Sequence, residues 1–385
     1  MLNQKKQLDP ESQKLAAEFR DEIAHNYSQE FTERMSYITE NTLLTFFTAK
    51  HLTAGIEHLT SIPKNVPVIL SSVHKSHLDY MILGQIFFNF QSKLPATIAG
   101  KNLFHGPFQK ILPMFKGVCL DRDRVNPKNL RSKENLLYLS TFYSYLMSEV
   151  VAMGDAITIF PEGGRSYDGS IQPLSLGIFG IAKRALKEHE KVALIPIGIT
   201  YDRVTEDARF AGLLKYKERS ERAYRSYDKR GFYHHAFLQP KGNVYIDFGE
   251  PLYLTDIRHM DTLEQDLRRQ MGELIRVTPV SLVARAIGGK REVFLDDVFR
   301  HIQNDMRVVR ENNLLIGKGI RYRPASRIFK RSLEHLCNRM RFRDVFRIES
   351  RPEGSVLRVR RPDIIAYNAN TVSHLFPNSE IIPLL

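Results

Sequence analysis

The chain has 385 residues, long enough to bury a large core and to divide into two or three domains. Its composition, 43% hydrophobic and 26% charged, is ordinary for a folded protein, and its two cysteines rule out a disulfide framework or a cysteine zinc cluster. Lys and Arg number 56 against 43 Asp and Glu, and this net charge of +13 points to anionic partners: nucleic acid, an acidic protein, phosphorylated substrates or anionic lipid.

The opening stretch, MLNQKKQLDPESQK, has no apolar signal-peptide core. Residues 11–59 read as helix, rich in Ala, Leu, Glu and Lys and free of proline. Within them, LLTFFTAKHLTAGIEHL (43–59) puts Leu44, Phe47, Leu52, Ile56 and Leu59 at roughly helical spacing. Such a face either packs on a core or lies in a membrane interface. From Pro63 onward, short apolar runs predict buried strands at 66–73, 94–100, 117–122, 156–162, 192–201 and 243–251, with helices at 77–90, 102–112, 127–151 and 175–190. Alternation of this kind predicts an α/β fold with a largely parallel sheet flanked by helices, whose functional loops gather beyond the carboxyl ends of the strands.

The longest apolar stretch, YMILGQIFFNF (80–90), contains Gln85 and Asn89 and falls well short of the ~20 residues a spanning helix needs. A cytoplasmic chain, soluble or peripheral on the membrane, is therefore expected. Residues 215–235 are too polar for a core element and read as a solvated, mobile insertion. An amphipathic helix follows at 258–276, then Arg-rich helical sequence, and the chain closes on strand-like VFRIES, SVLRVRR and IIAYNANTVSHLF. The expected organisation is an N-terminal helical segment (1–61), an α/β domain (62–257) and a basic C-terminal helix/strand extension (258–385). The extension holds 24 Lys/Arg and 15 Asp/Glu, so it carries most of the excess charge.

Chemistry-bearing residues concentrate after the predicted strands. SSVHKSHLDYMIL (71–83) follows the first of them and places His74 five positions before Asp79. On one continuous helix these two would lie about 140° apart. With His74 in the strand-to-helix loop and Asp79 in the first helical turn, the carboxylate can instead reach back to the imidazole. Ser76-His77-Leu78-Asp79 also fits a capping box, in which Asp79 merely satisfies a backbone N–H. After another strand comes FPEGGRSYDG (160–169). There Gly163 and Gly164 free the backbone to meet an anion, and Arg165 offers a bidentate fork for phosphate. GVCLDRDR (117–124) sets Arg122 and Arg124 at a corresponding strand end, and PIGITYD (196–202) follows the fifth strand. There is no P-loop and no G-x-G-x-x-G.

These four segments, in this order, resemble the glycerolipid acyltransferase superfamily, whose hallmark is H-x-x-x-x-D followed by a G-x-x-x-x-R-like block, an E-G-x-R block and a proline-bearing strand. The spellings HKSHLDY and EGGRS, with FGEPL, VTPVSLVARAI and the closing IIAYNANTVSHLF, are similar to the glycerol-3-phosphate acyltransferase family from about residue 50 onward. The spelling GVCLDRDR is closer to that of lysophosphatidic acid acyltransferases, so the acceptor alternatives are lysophosphatidic acid or dihydroxyacetone phosphate. A basic membrane-surface protein with a dead site is the remote alternative.

The resemblance implies acyl transfer from a thioester, acyl-CoA or acyl-acyl carrier protein, to a glycerol phosphate hydroxyl. It implies His74 as general base, Asp79 as its orienter, and Arg122 and Arg165 on the acceptor phosphate. Glu162, Gly163, Gly164 and Ser166 are carried over as site residues. Glu162 is expected to orient Arg165 or to touch glycerol hydroxyls, and backbone N–H groups near Gly163 are the candidate oxyanion donors. Ser76 and His77 are expected as caps or substrate contacts. The reaction calls for no cofactor and no metal, and the expected partners are the acyl donor, the acceptor and an anionic membrane surface, not nucleic acid.

Overall fold

Runs of β-branched and aliphatic residues with no charged interruption become the centre of one sheet. In the computed structural model, residues 9–38, 40–41, 48–91, 94–106, 108–175, 177–210, 242–256, 260–337, 345–377 and 379–384 are described. The strands are β1 (Thr48–Ala54), β2 (Val68–Ser72), β3 (Ala96–Gly100), β4 (Gly117–Leu120), β5 (Ile157–Ile159), β6 (Val192–Tyr201), β7 (Gly242–Phe248) and β8 (Leu252–Leu254). They lie in the order β1-β7-β6-β2-β5-β3-β4, with β8 paired to β6. The pairs β1–β7, β2–β5, β2–β6, β3–β4 and β3–β5 are parallel, whereas β7 and β8 run antiparallel to β6.

The core sits on β2 and its two neighbours. Ile69 stands opposite Ile157 on one side and Leu194 on the other, and all three are buried. Every residue of β6 is buried, as expected for a strand covered on both faces. The covering helices are α1 (Pro10–Ile23), α2 (Gln29–Ile38), α3 (Asp79–Gln91), α4 (Phe108–Met114), α5 (Lys133–Tyr145) and α6 (Gly177–Ala185). Helix α1 starts on Asp9, whose carboxylate accepts from Ser12 N at 2.9 Å, with Pro10 behind it. It packs on α5 through an edge-to-face pair of Phe19 and Tyr138. This is the α/β fold with a mostly parallel sheet that the alternation predicts.

Downstream come α7 (Met260–Glu273), α8 (Pro279–Ile287), β9 (Glu292–Phe294), α9 (Leu295–Glu311), α10 (Ala325–Leu336), β10 (Phe346–Arg351), β11 (Gly354–Val359) and α11 (Pro362–Asn370). Strands β10, β11 and β9 form a small antiparallel sheet. Helix α8 opens on a complete capping box between Thr278 and Ser281 and is buried almost all round, which makes it the core of this part.

Two expectations fail. Residues 11–59 are not one helix, because Thr48–Ala54 is a strand paired in parallel with β7, followed by a short 3₁₀ helix at Ile56–Ser61. The apolar spacing across 48–59 thus belongs to a strand and a turn, and the interfacial-helix reading is corrected there. Residues 42–47 lie outside the described residues. The closing IIAYNANTVSHLF is not a strand but helix α11 and a 3₁₀ turn, with Pro362 at its start and Asp363 in its first turn. The insertion read at 215–235 also lies outside the described residues. Among the described residues, no helix is long and apolar enough to cross a membrane.

Candidate active site

The carboxyl ends of β2, β5 and β6 are neighbours in the sheet, so the loops leaving them meet. His74 lies just past β2, after Val73 makes a last sheet-like bond to Ile197 O at 3.1 Å. Asp79 is the first residue of α3. His74 Nδ1 stands 2.9 Å from Asp79 Oδ2, which also accepts from Lys75 N at 2.6 Å and Ser76 N at 2.9 Å. The other oxygen, Oδ1, accepts from the Tyr201 hydroxyl at 2.6 Å. Asp79 is fully buried, and a carboxylate there is tolerated only with its lone pairs filled, as these are.

Both sequence-level readings of Asp79 are therefore present at once. It closes half a capping box on Ser76 N, and it holds the imidazole. The His74 side chain keeps 15% of its surface, stacks on Phe160 at 4.3 Å between ring centres, and has Nδ1 committed to Asp79. The nitrogen left for chemistry is Nε2.

Glu162 does not take the place expected of it. Its two oxygens accept from His74 N at 2.8 Å and Gln172 N at 2.9 Å, so it ties the loop after β5 to the loop after β2. Ser166 continues the seam, its N–H donating to His74 O at 3.0 Å. Gly163 has φ +71°, a conformation that favours glycine, and open space lies beside both it and Gly164. The Gly163 N–H is bonded to Phe160 O at 3.1 Å, which removes it from the candidate oxyanion donors.

Two arginines belong to this region, one on the glycine turn and one just after it in the loop. Arg122, from the loop after the edge strand β4, donates to Gly163 O. Arg165 contacts His77 Nε2 through Nη1, reaches the Tyr167 hydroxyl at 3.4 Å, and lies over the Tyr167 and Phe210 rings. Burial, with repulsion from Arg165, His74 and Arg209, pushes His77 down to about 2. His77 is thus neutral and presents Nε2 to Arg165 as an acceptor. Desolvation lowers the Arg122 pKa, and Arg165 acts in the same direction. Such a pair gains from an anion between them. Arg124 turns away, pairing with Glu134 at 2.5 Å.

Sequence reasoning missed the residues that act behind this surface. Lys75 is buried and donates to Gly169 O at 3.0 Å and Ser170 O at 3.1 Å; burial draws its pKa down, opposed by Glu162, Asp168 and Asp79. Glu206, also fully buried, accepts from Ser76 Oγ at 2.7 Å and His77 N at 2.9 Å, and burial raises its pKa against those bonds. Ser76 Oγ in turn accepts from Leu78 N, so it caps the start of α3. Helix α11 braces the loop from outside: Asn370 Nδ2 donates to Asp168 O at 3.0 Å, and a Cβ on Gly169 would meet Tyr367 O at 2.1 Å. Cys119 is no rival nucleophile, since burial pushes its thiol up to about 12.

Comparison with known proteins places this arrangement in context. Residues 55–200 match the family model described as Acyltransferase. A glycerol-3-phosphate acyltransferase of Pseudomonas aeruginosa PAO1 is 26% identical over 321 residues, which are 74% of this chain and 37% of that one. Proteins of the same name from Pseudomonas fluorescens Pf-5 and Shewanella sp. W3-18-1 are each 25% identical, over 97% and 99% of this chain and 46% and 48% of their own. The chain thus spans less than half the length of these curated relatives. A crystal structure of the 1-acyl-sn-glycerophosphate acyltransferase PlsC from Thermotoga maritima matches with TM-score 0.36 and 19% identity, covering 63% of this chain and 78% of that one, too loose a likeness to bear on the fold.

Proposed function

We propose that this chain, whose residues 55–200 match the Acyltransferase family model, moves a fatty acyl group from a thioester to a hydroxyl of glycerol 3-phosphate. The observation that carries the reading is the His74–Asp79 pair at 2.9 Å, set beside a glycine turn with open space around it, to which Arg122 donates and which Arg165 follows in the same loop. The names of the relatives support glycerol 3-phosphate as the acceptor.

An alcohol is a weak nucleophile at neutral pH, so its proton must leave as its oxygen attacks. In this reading His74 Nε2 takes that proton while the hydroxyl oxygen bonds to the thioester carbonyl carbon. Asp79 fixes the tautomer with the proton on Nδ1 and stabilises the imidazolium, as the acid of a Ser-His-Asp triad does. Tyr201, Lys75 N and Ser76 N hold Asp79 in place. The tetrahedral intermediate collapses by breaking the C–S bond, and the proton on His74 passes to the departing thiolate. The ester and a free thiol remain. No enzyme nucleophile is used.

Arg165 and Arg122 are read as the clamp on the acceptor phosphate, placing its hydroxyl beside His74. Glu162 serves them indirectly, by fixing the backbone of His74 against the loop that carries Arg165. The donor is acyl-CoA or acyl-acyl carrier protein, and the net charge of +13 makes an anionic bilayer the expected location.

Purified protein given labelled palmitoyl-CoA and a panel of glycerol 3-phosphate, dihydroxyacetone phosphate and lysophosphatidic acid tests the acceptor. The expected product, read by mass, is mono-acylated glycerol 3-phosphate. Preferential conversion of lysophosphatidic acid to a di-acylated product would overturn the acceptor assignment.

The clamp has its own test. Arg165→Lys keeps the charge but loses the planar fork. Charge-assisted bonds of this kind contribute about 1.5–3 kcal/mol, so kcat/KM for the acceptor is expected to fall roughly 10–150-fold. The loss should sit mainly in the acceptor KM, with the donor KM nearly unchanged. A raised donor KM would move Arg165 to the thioester side.

A further inference from the structure

We propose that the turn Lys318–Arg323 and the outer face of α10 form the surface on which this protein rests against an anionic phospholipid bilayer. The inference deepens the reading of the bilayer as a partner and does not depend on the chemistry assigned to His74.

Residues 318–331, KGIRYRPASRIFKR, hold six cations and no acidic residue. Helix α10 buries Ala325, Ile328, Phe329, Ser332 and Leu336, which leaves Arg327, Lys330 and Arg331 on its exposed side together with Lys318, Arg321 and Arg323 of the turn. Arg331 pairs with Glu334. Among the described residues the other five have no carboxylate partner. Uncompensated charge gathered in one place is a repulsive arrangement unless an anionic surface meets it.

Tyr322 distinguishes the bilayer from other anionic partners. It is 91% exposed, more than any other large apolar residue described, and it sits at the apex of the turn between Arg321 and Arg323. Its φ of +56° is a backbone conformation that a bulky side chain rarely adopts. The Arg321 guanidinium lies 5.4 Å from its ring centre. A phenol offered to solvent amid guanidinium groups matches the layered chemistry of a bilayer surface, where phosphates meet arginine and the tyrosine ring settles at headgroup depth. Next to it in sequence, Arg323, Pro324 and Ala325 line a cavity of about 210 Å³ together with Gln303, Met306 and Arg310. The helix also ties this surface to the candidate active site. Its far end meets the loop after β6, where Arg203 Nη1 donates to His335 O at 2.6 Å, two residues past Tyr201. A 12-residue helix is about 18 Å long, so its basic start lies roughly one helix length from the contact with Arg203.

The chain contains no tryptophan, so Tyr322→Trp installs a single reporter at the apex. With vesicles of phosphatidylcholine and phosphatidylglycerol, its emission is expected to shift to the blue and to be quenched by brominated acyl chains. Pure phosphatidylcholine should give little of either, and high salt should reverse both. Adding Arg321→Gln, Arg323→Gln and Arg327→Gln should weaken vesicle binding about 100-fold, at roughly one kcal/mol for each cation near the surface. Acyl transfer assayed in detergent with water-soluble glycerol 3-phosphate should be unchanged in these variants. Three results would overturn the proposal: vesicle binding with unmoved Trp emission, no binding of the full chain to anionic vesicles, or duplex DNA binding the same cations as tightly as the vesicles do. Loss of acyl transfer with the emission shift intact would count against the proposed chemistry and leave this surface standing.

Discussion

His74→Ala is expected to lower kcat by about 10²–10⁴-fold, the usual contribution of a positioned general base, and to leave the melting curve almost unmoved. The expectation for stability rests on what the substitution leaves behind. Asp79 keeps Lys75 N, Ser76 N and the Tyr201 hydroxyl, so no buried charge is stranded. The imidazole stack on Phe160 is lost, a change of about 1 kcal/mol for a partly exposed ring. The backbone contacts of residue 74 with Glu162 and Ser166 are independent of the side chain. Turnover and thermal melting measured on the same preparation check both halves. Added imidazole should restore part of the activity, since the vacated space adjoins the open side of the site. A variant that melts normally and turns over normally would remove His74 from the reaction.

Much of this site was legible in the sequence because a parallel sheet gathers strand ends. His74 and Glu162 to Ser166 follow two strands, β2 and β5, that turn out to be neighbours, and an apolar run followed by polar residues is a signal that a single chain displays. What those residues touch was not legible. Glu162 looked like a partner for Arg165, yet it is spent on two backbone N–H groups, a bond pattern that depends on how two loops cross. Tyr201 stood inside the quoted strand with nothing to mark it; its role emerges only when β6 is laid beside β2. Glu206 and Lys75 are charges buried against backbone and hydroxyl groups, and no local pattern announces such a partner.

The two misread elements fail for related reasons. Residues 48–54 carry helix-compatible spacing, but their hydrogen bonds go to β7, far downstream, and tertiary pairing overrides local periodicity. In α11 the Ile, Tyr and Asn of IIAYNAN favour strand or turn over helix. Burial reverses that preference, because Asn368 bonds Asp207 and Ile364 O while Asn370 bonds Asp168 O and Ile382 O. The asparagines that argue against a helix in isolation fasten this one, Asn370 to the loop carrying Arg165 and Asn368 to the segment after β6.

The most direct test of the central claim is the turnover of Asp79→Asn, read beside its melting curve. Asparagine is nearly isosteric, and its single carbonyl oxygen can keep Lys75 N, Ser76 N and His74 Nδ1 if the amide turns its NH₂ toward the Tyr201 oxygen, which can accept. Asparagine also serves well at helix starts, so the capping contribution survives. Only the negative charge is lost, and with it the stabilisation of a protonated His74. The account predicts a melting curve close to that of the unaltered protein and a kcat lower by roughly 10²–10⁴-fold. Near-normal turnover with a normal melting curve would contradict it, and would leave Asp79 as a helix cap and nothing more.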